Sequence, residues 1–125
     1  MGWGTHIVPA RDTPERAVTA PAFRVELAVD AQDVSARFHG DLTIDAEETL
    51  AVAFRDLVFP ARARLTVDFS GVPHVNSSGI AALLGILIRA RGKTQAIAFV
   101  GLNKHLDKIF RMTGFEALVE LETPS

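Results

Sequence analysis

The sequence predicts one α/β domain in which an antiparallel hairpin leads into mostly parallel strands that alternate with helices. Three observations predict it. Apolar and polar residues alternate in two stretches between Phe23 and Phe38. Ile80, Leu83, Leu84, Leu87 and Ile88 recur at helical spacing. Strand-like and helix-like segments then take turns from Arg64 to Leu121. With 125 residues, 48% hydrophobic and 22% charged, the chain holds enough apolar material for a single core.

Residues 1–22, rich in Pro, Thr, Ala and charge, show no sustained periodicity and are expected to form a flexible or loosely docked extension, with the domain spanning 23–122. Phe23, Val25, Leu27 and Val29 point one way, and after a polar turn at Asp30 to Asp33 so do Val34, Ala36 and Phe38, as in a hairpin with one buried face. Gly40 and Asp41 interrupt it. Asp45 with Glu48 three positions on makes a capping-box start for a helix carrying Leu50, Ala53, Phe54 and Leu57, which Pro60 closes. Arg64 to Phe69 is β-branched and apolar, which suits a central strand, and Ser70-Gly71-Val72-Pro73 reads as a turn. The helix from Ser78 to Arg91 places Ile80, Leu83, Leu84, Leu87 and Ile88 on its core face and ends at Gly92. Gln95 to Val100 reads as a strand. Asn103 to Thr113 is a helix with Leu106, Ile109 and Phe110 inward and Gly114 just beyond its end, and Phe115 to Leu121 adds a short last element.

Composition excludes several functions. There is no cysteine, hence no disulfide framework, thiolate metal cluster or thiol nucleophile, and a cytoplasmic location is expected. The formal net charge is −2 and the cations are scattered along the sequence, which argues against a nucleic-acid partner. The longest apolar run, Gly79 to Ile88, falls short of the roughly 18–20 residues that cross a bilayer, so no membrane insertion is expected. Arg11, Asp12, Glu15 and Arg16 among Pro9, Pro14 and Pro21 do not make a signal peptide. His6, His39, His74 and His105 are too far apart for a metal motif, and no glycine-rich loop announces a phosphate-bound cofactor, so no metal and no cofactor are expected. Ser77, His74 and Asp68 do not make a hydrolase triad, because Asn76 and Ser78 flank the serine where a nucleophile elbow needs Gly-x-Ser-x-Gly.

The informative segment runs from Asp68 to Ile80, where a strand passes through a turn into a helix. Asn76, Ser77 and Ser78 are all good cap residues, and whichever one caps the helix leaves a hydroxyl near the positive end of the dipole. The pattern Asp68-x-Ser70-x-Val72 followed by Asn76-Ser77-Ser78-Gly79 resembles the signature of the STAS domain, in its bacterial anti-sigma-factor-antagonist form. Gly40-Asp41-Leu42 and Ile109-Phe110-Arg111-Met112-Thr113-Gly114-Phe115 are similar to two further elements of that family, so the resemblance covers Phe23 to Leu121. Asn76 stands where the family has an acidic residue, and Thr43 where it has Asp.

The resemblance implies a mixed sheet flanked by helices and a non-enzymatic switch. The unphosphorylated form would bind an anti-sigma factor with serine kinase activity, and phosphorylation would end the contact, with a phosphatase as the resetting partner. The acceptor implied is Ser77, with Ser78 as the alternative. The other reading is a STAS scaffold subunit, never phosphorylated, in a stress-signalling or transporter-associated complex. On the helix after Ser77, the spacing sets Ser78, Ala82, Gly85 and Arg89 on a stripe expected to meet the partner, with Asn76 and His74 at its head. A phosphate there adds about −1.5 to −2 charges, enough to oppose docking by several kcal/mol if buried unpaired.

Overall fold

A computed structural model describes residues 6–9, 23–30, 32–55 and 57–122. They form a six-stranded sheet with three helices in the order β1 (His6–Pro9), β2 (Arg24–Val29), β3 (Asp33–His39), α1 (Ala46–Arg55), β4 (Arg64–Gly71), α2 (Ser77–Arg91), β5 (Ala96–Val100), α3 (Lys104–Met112), a 3₁₀ turn (Phe115–Ala117) and β6 (Glu120–Leu121). Strands lie side by side in sequence order. β1/β2 and β2/β3 are antiparallel, and β3/β4, β4/β5 and β5/β6 are parallel, which makes the sheet mixed as expected.

The hairpin is closed by Asp30, whose Oδ1 accepts from the N–H groups of Gln32 (2.9 Å) and Asp33 (2.8 Å). Its register pairs Val25 with Phe38 and Leu27 with Ala36, so the inward residues of both strands share one face. That face continues through Leu65, Val67 and Phe69 to Ile97 and Phe99, all buried. Along it Phe23, Phe38, Phe69 and Phe99 contact one another in turn at ring-centroid distances of 5.3, 5.3 and 4.7 Å. Phe110 of α3 packs on both Phe69 and Phe99 at 5.3 and 5.2 Å. A Phe ring buries 150–250 Å² and adds edge-to-face attraction to its burial, so this row joins the antiparallel and parallel halves into one core.

Leu50 and Ala53 of α1, Leu83 and Leu87 of α2, and Leu106 and Phe110 of α3 all belong to the same buried cluster. The opposite face of the sheet carries Glu26, Arg37, Thr66 and Asp68, none of them buried. Asn103 caps α3, its Oδ1 accepting from Leu106 N–H at 2.7 Å, and Gly114 follows the helix with φ of 84°.

Three expectations need correction, the smallest being Val29, expected on the buried face of the hairpin and 45% exposed at the end of β2. Residues 1–22 are not wholly an extension: His6–Pro9 pair with Arg24–Leu27 as an edge strand. Four residues are too few for alternation to register in the sequence, and Pro9 is tolerated because it lies on an edge. The rest of that segment lies outside the described residues. The core face of α2 is also rotated. Leu83 and Leu87 are buried as expected, but Ile88 is 62% exposed, Ile80 and Leu84 are half-buried, and Ala82, Ile86 and Ala90 are inside. Nearly every position of this helix is apolar or small, so spacing alone admits two inward faces. Packing against α1 as well as the sheet selects between them.

Candidate functional site

Ser77 lies at the carboxyl end of β4, where the chain leaves the sheet and enters α2. Asn76 is the cap. Its backbone is extended, its Oδ1 accepts from Gly79 N–H at 2.9 Å, and its carbonyl accepts from Ile80 N–H at 2.9 Å. Ser77 and Ser78 therefore occupy the first two helical positions, both exposed, and no carboxylate occupies the first turn. The helix N-terminus carries a partial positive charge that no residue of its own first turn offsets.

A second strand of backbone holds this terminus in place. Gly40 N–H donates to Gly71 carbonyl (2.9 Å), Leu42 N–H to His74 carbonyl (2.9 Å) and Asn76 N–H to Leu42 carbonyl (3.1 Å), forming a parallel bridge between Leu42 and Val75 beyond the ends of β3 and β4. The Gly40-Asp41-Leu42 element is thereby stitched to the loop that presents Ser77. Gly79 rests on it so closely that a Cβ there would collide with the carbonyl of Leu42 and lie 2.9 Å from Thr43 N.

Asp68 has a different task from the one a triad would need. Its Oδ1 accepts from Ser70 N–H at 2.9 Å, and its Oδ2 lies 3.5 Å from Arg37 Nε on the neighbouring strand. Gly101, at φ of 71°, abuts both Asp68 and Ser70, leaving no room for a side chain. Asp68 thus ends β4 with a fixed turn. Farther along the same face of the sheet, His39 Nε2 donates to Glu26 Oε1 at 2.9 Å. That hydrogen bond holds the Glu26 carboxyl below its ordinary value, aided by the charges of His39, Arg37 and Arg24.

The structure redraws the expected docking stripe. Asn76, Ser78, Gly85 and His74 are exposed, but Ala82 is buried in the core and its place on the open face is taken by Ala81. Gly85 has open space where a Cβ would stand. Arg89 is exposed but lines a cavity shared with α1. Ser77, Ala81, Gly85 and Ile88 follow one another at helical spacing along the exposed side of α2. Ile44, 57% exposed, lies one residue past the Thr43 that abuts Gly79. Sequence reading missed Ile44, Ala81 and Ile88. Only Ile88 carried a signal, and it pointed inward.

The family model for "Mlab, STAS domain" matches residues 24–120, more than half of the chain. The chain belongs to the STAS domain family. Solved structures agree on the STAS fold. SpoIIAA, an anti-sigma factor antagonist, in its unphosphorylated form superposes with a TM-score of 0.55 at 18% identity, covering 83% of this chain and 90% of that one. A sulfate transporter family protein from Wolinella succinogenes gives 0.62 at 15% identity, covering 86% and 82%. An anti-sigma factor antagonist from Mycobacterium paratuberculosis gives 0.60 at 15% identity, covering 84% and 90%. A search of curated proteins gives no match.

Proposed function

We propose that this STAS domain is an anti-sigma-factor antagonist that docks on an anti-sigma factor with serine kinase activity and is released when Ser77 is phosphorylated. The observation that carries the reading is the placement of Ser77. It is exposed at the first helical position, beside an Asn76 cap that does not use its hydroxyl, and at the head of the exposed row Ala81, Gly85 and Ile88. Small side chains allow a partner's backbone to come close, and Ile88 with Ile44 supplies apolar area to bury. A phosphate on Ser77 is favourable for the helix, because it meets the positive end of the dipole, and unfavourable for a partner that must cover it. The modification thus changes binding without unfolding the domain.

Ser78, one residue on, is the alternative acceptor, and His74 and Asn76 form the edge of the docking surface nearest the strands. Incubation of the protein with a serine kinase captured with it from native cells, followed by mass spectrometry of the phosphopeptide, tests the reading. Phosphate on Ser77 with loss of kinase binding supports it. No incorporation, or incorporation only at Ser78 with binding retained, overturns it.

A second reading has support of its own. Asn76 is neutral where the resemblance leads one to expect an acidic residue, and one superposing structure is a sulfate transporter family protein. In this reading the same face of α2 docks permanently on a transport or signalling assembly, and Ser77 is never modified. Purification of the complex from native cells separates the two, since only the switch predicts a partner lost on phosphorylation.

A further inference from the structure

At the end of the fold opposite Ser77, α1 and α2 form a partly open cavity of about 120 Å³. Phe54, Phe59 and Ile86 supply apolar walls, and Arg55, Arg89 and Lys93 stand around it. The topology creates this gathering. α1 and α2 both run back against the parallel strands, so their carboxyl ends meet at the amino ends of β4 and β5, although Arg55 is far from Arg89 and Lys93 in sequence.

Two properties decide what the cavity can hold. An apolar cavity of about 150 Å³ takes up a benzene-sized molecule, so this one accommodates a ring or a short branched chain. Among the described residues neither Arg89 nor Lys93 forms an ion pair. Arg89 stands in the last turn of α2 and Lys93 just beyond its Gly92 cap, where the helix dipole favours cations, and that accounts for their charge. It does not account for aromatic walls beneath them. An uncharged apolar guest would leave the cations unused, and an inorganic anion would leave the apolar walls unfilled.

We infer that the α1–α2 cavity is a binding site for a small organic anion, with an apolar body of ring or short-chain size seated between Phe54, Phe59 and Ile86 and a carboxylate or phosphate head held by Arg89 and Lys93. Arg89 offers the planar fork that pairs with two oxygens of such a head, and Lys93 adds a mobile point charge. The site is independent of the Ser77 reading, because it lies at the other pole and none of its residues is in the exposed row.

The test is a two-dimensional amide NMR titration of the full chain with phenylacetate and phenyl phosphate, and with benzyl alcohol as the neutral control. Saturable shifts are expected at Ile86, Ala90 and Lys93, with Kd of about 1 mM or below for the anions. The Arg89→Glu, Lys93→Glu pair should weaken anion binding about tenfold or more, as should a rise to about 0.3 M salt. Ala51 also lines the cavity, so Ala51→Leu, which fills it, should abolish binding. Lys93→Gln, at an exposed position, serves as the milder variant should the pair fold poorly, and a several-fold loss is expected from it. Shifts that never saturate, equal affinity for benzyl alcohol, or affinity unchanged by Lys93→Gln and by salt each overturn the proposal.

Discussion

Gly79 packs face to face with the carbonyl of Leu42, closer than any residue with a Cβ could come. This contact sets the height of α2 above the Gly40-Asp41-Leu42 segment and so the position at which Ser77 leaves the surface. Gly79→Ala should therefore force backbone apart, at a cost of about 1–3 kcal/mol or more. Gly85→Ala, on the same helix with empty space around it, should instead stabilise by about 0.5–1 kcal/mol through helix propensity. Thermal melts of the two variants check the contrast, and equal effects would refute the close approach at Gly79.

The cap and the hydroxyl beside it should separate cleanly. Asn76→Ala removes the acceptor for Gly79 N–H and should cost about 0.5–2 kcal/mol. Ser77→Ala, which removes no hydrogen bond seen in the fold, should melt close to the parent and bind the partner constitutively. Ser77→Asp should be equal or more stable by about 0.3–1 kcal/mol, because a carboxylate there complements the dipole. Yet it should bind the partner about 100-fold more weakly, some 3 kcal/mol. Melting curves with a binding titration for each variant decide it, and equal affinities for Ser77→Ala and Ser77→Asp would remove Ser77 from the switch.

Adjacent residues of α2 should behave oppositely. Leu87→Ala, at a fully buried position, should cost about 2–5 kcal/mol. Ile88→Ala, largely exposed, should change stability by under about 0.5 kcal/mol. The same Ile88→Ala should weaken partner binding by about 1 kcal/mol or more if it anchors the docking face. Chemical denaturation and titration of both variants provide the readings, and a large stability loss at Ile88 would return it to the core.

The Glu26–His39 pair gives the sheet a pH response. The folded Glu26 carboxyl is held below its ordinary value by the His39 hydrogen bond. Such a group contributes stability that is fully present above its unfolded value, near 4.5, and is lost as pH falls through the lower folded value. The charges facing it are His39, Arg37 and Arg24, with Asp68 on the far side of Arg37. Glu26→Gln should flatten the stability profile below about pH 4.5. Denaturation midpoints measured from pH 3 to 7 in steps of about half a unit will show whether the acid limb belongs to this pair.

Local chemistry in the sequence determined most of the architecture. Alternation from Phe23 to Phe38 specified the hairpin because a strand with one buried face repeats every two residues. Asn103 and Gly114 marked the ends of α3 through their own capping and left-handed conformations. Asn76-Ser77-Ser78 marked a helix start for the same kind of reason. Each of these signals is carried within a few residues of the chain, so no distant contact is needed to read it.

Tertiary structure decided the rest. Which side of α2 faces inward depended on α1, because a helix apolar on most sides has no preferred face until a second layer covers one. The need for glycine at 79 came from the backbone of Leu42, and at 101 from the Asp68 carboxylate and the Ser70 backbone, all far away in sequence. The pairing of His6–Pro9 came from an open edge on β2 rather than from any pattern in those four residues. Arg55 became a neighbour of Arg89 and Lys93 only when two helices ran back along parallel strands and brought all three around one cavity. Periodicity records which residues seek burial, whereas the direction of burial and the meeting of charges are set by which elements the sheet brings side by side.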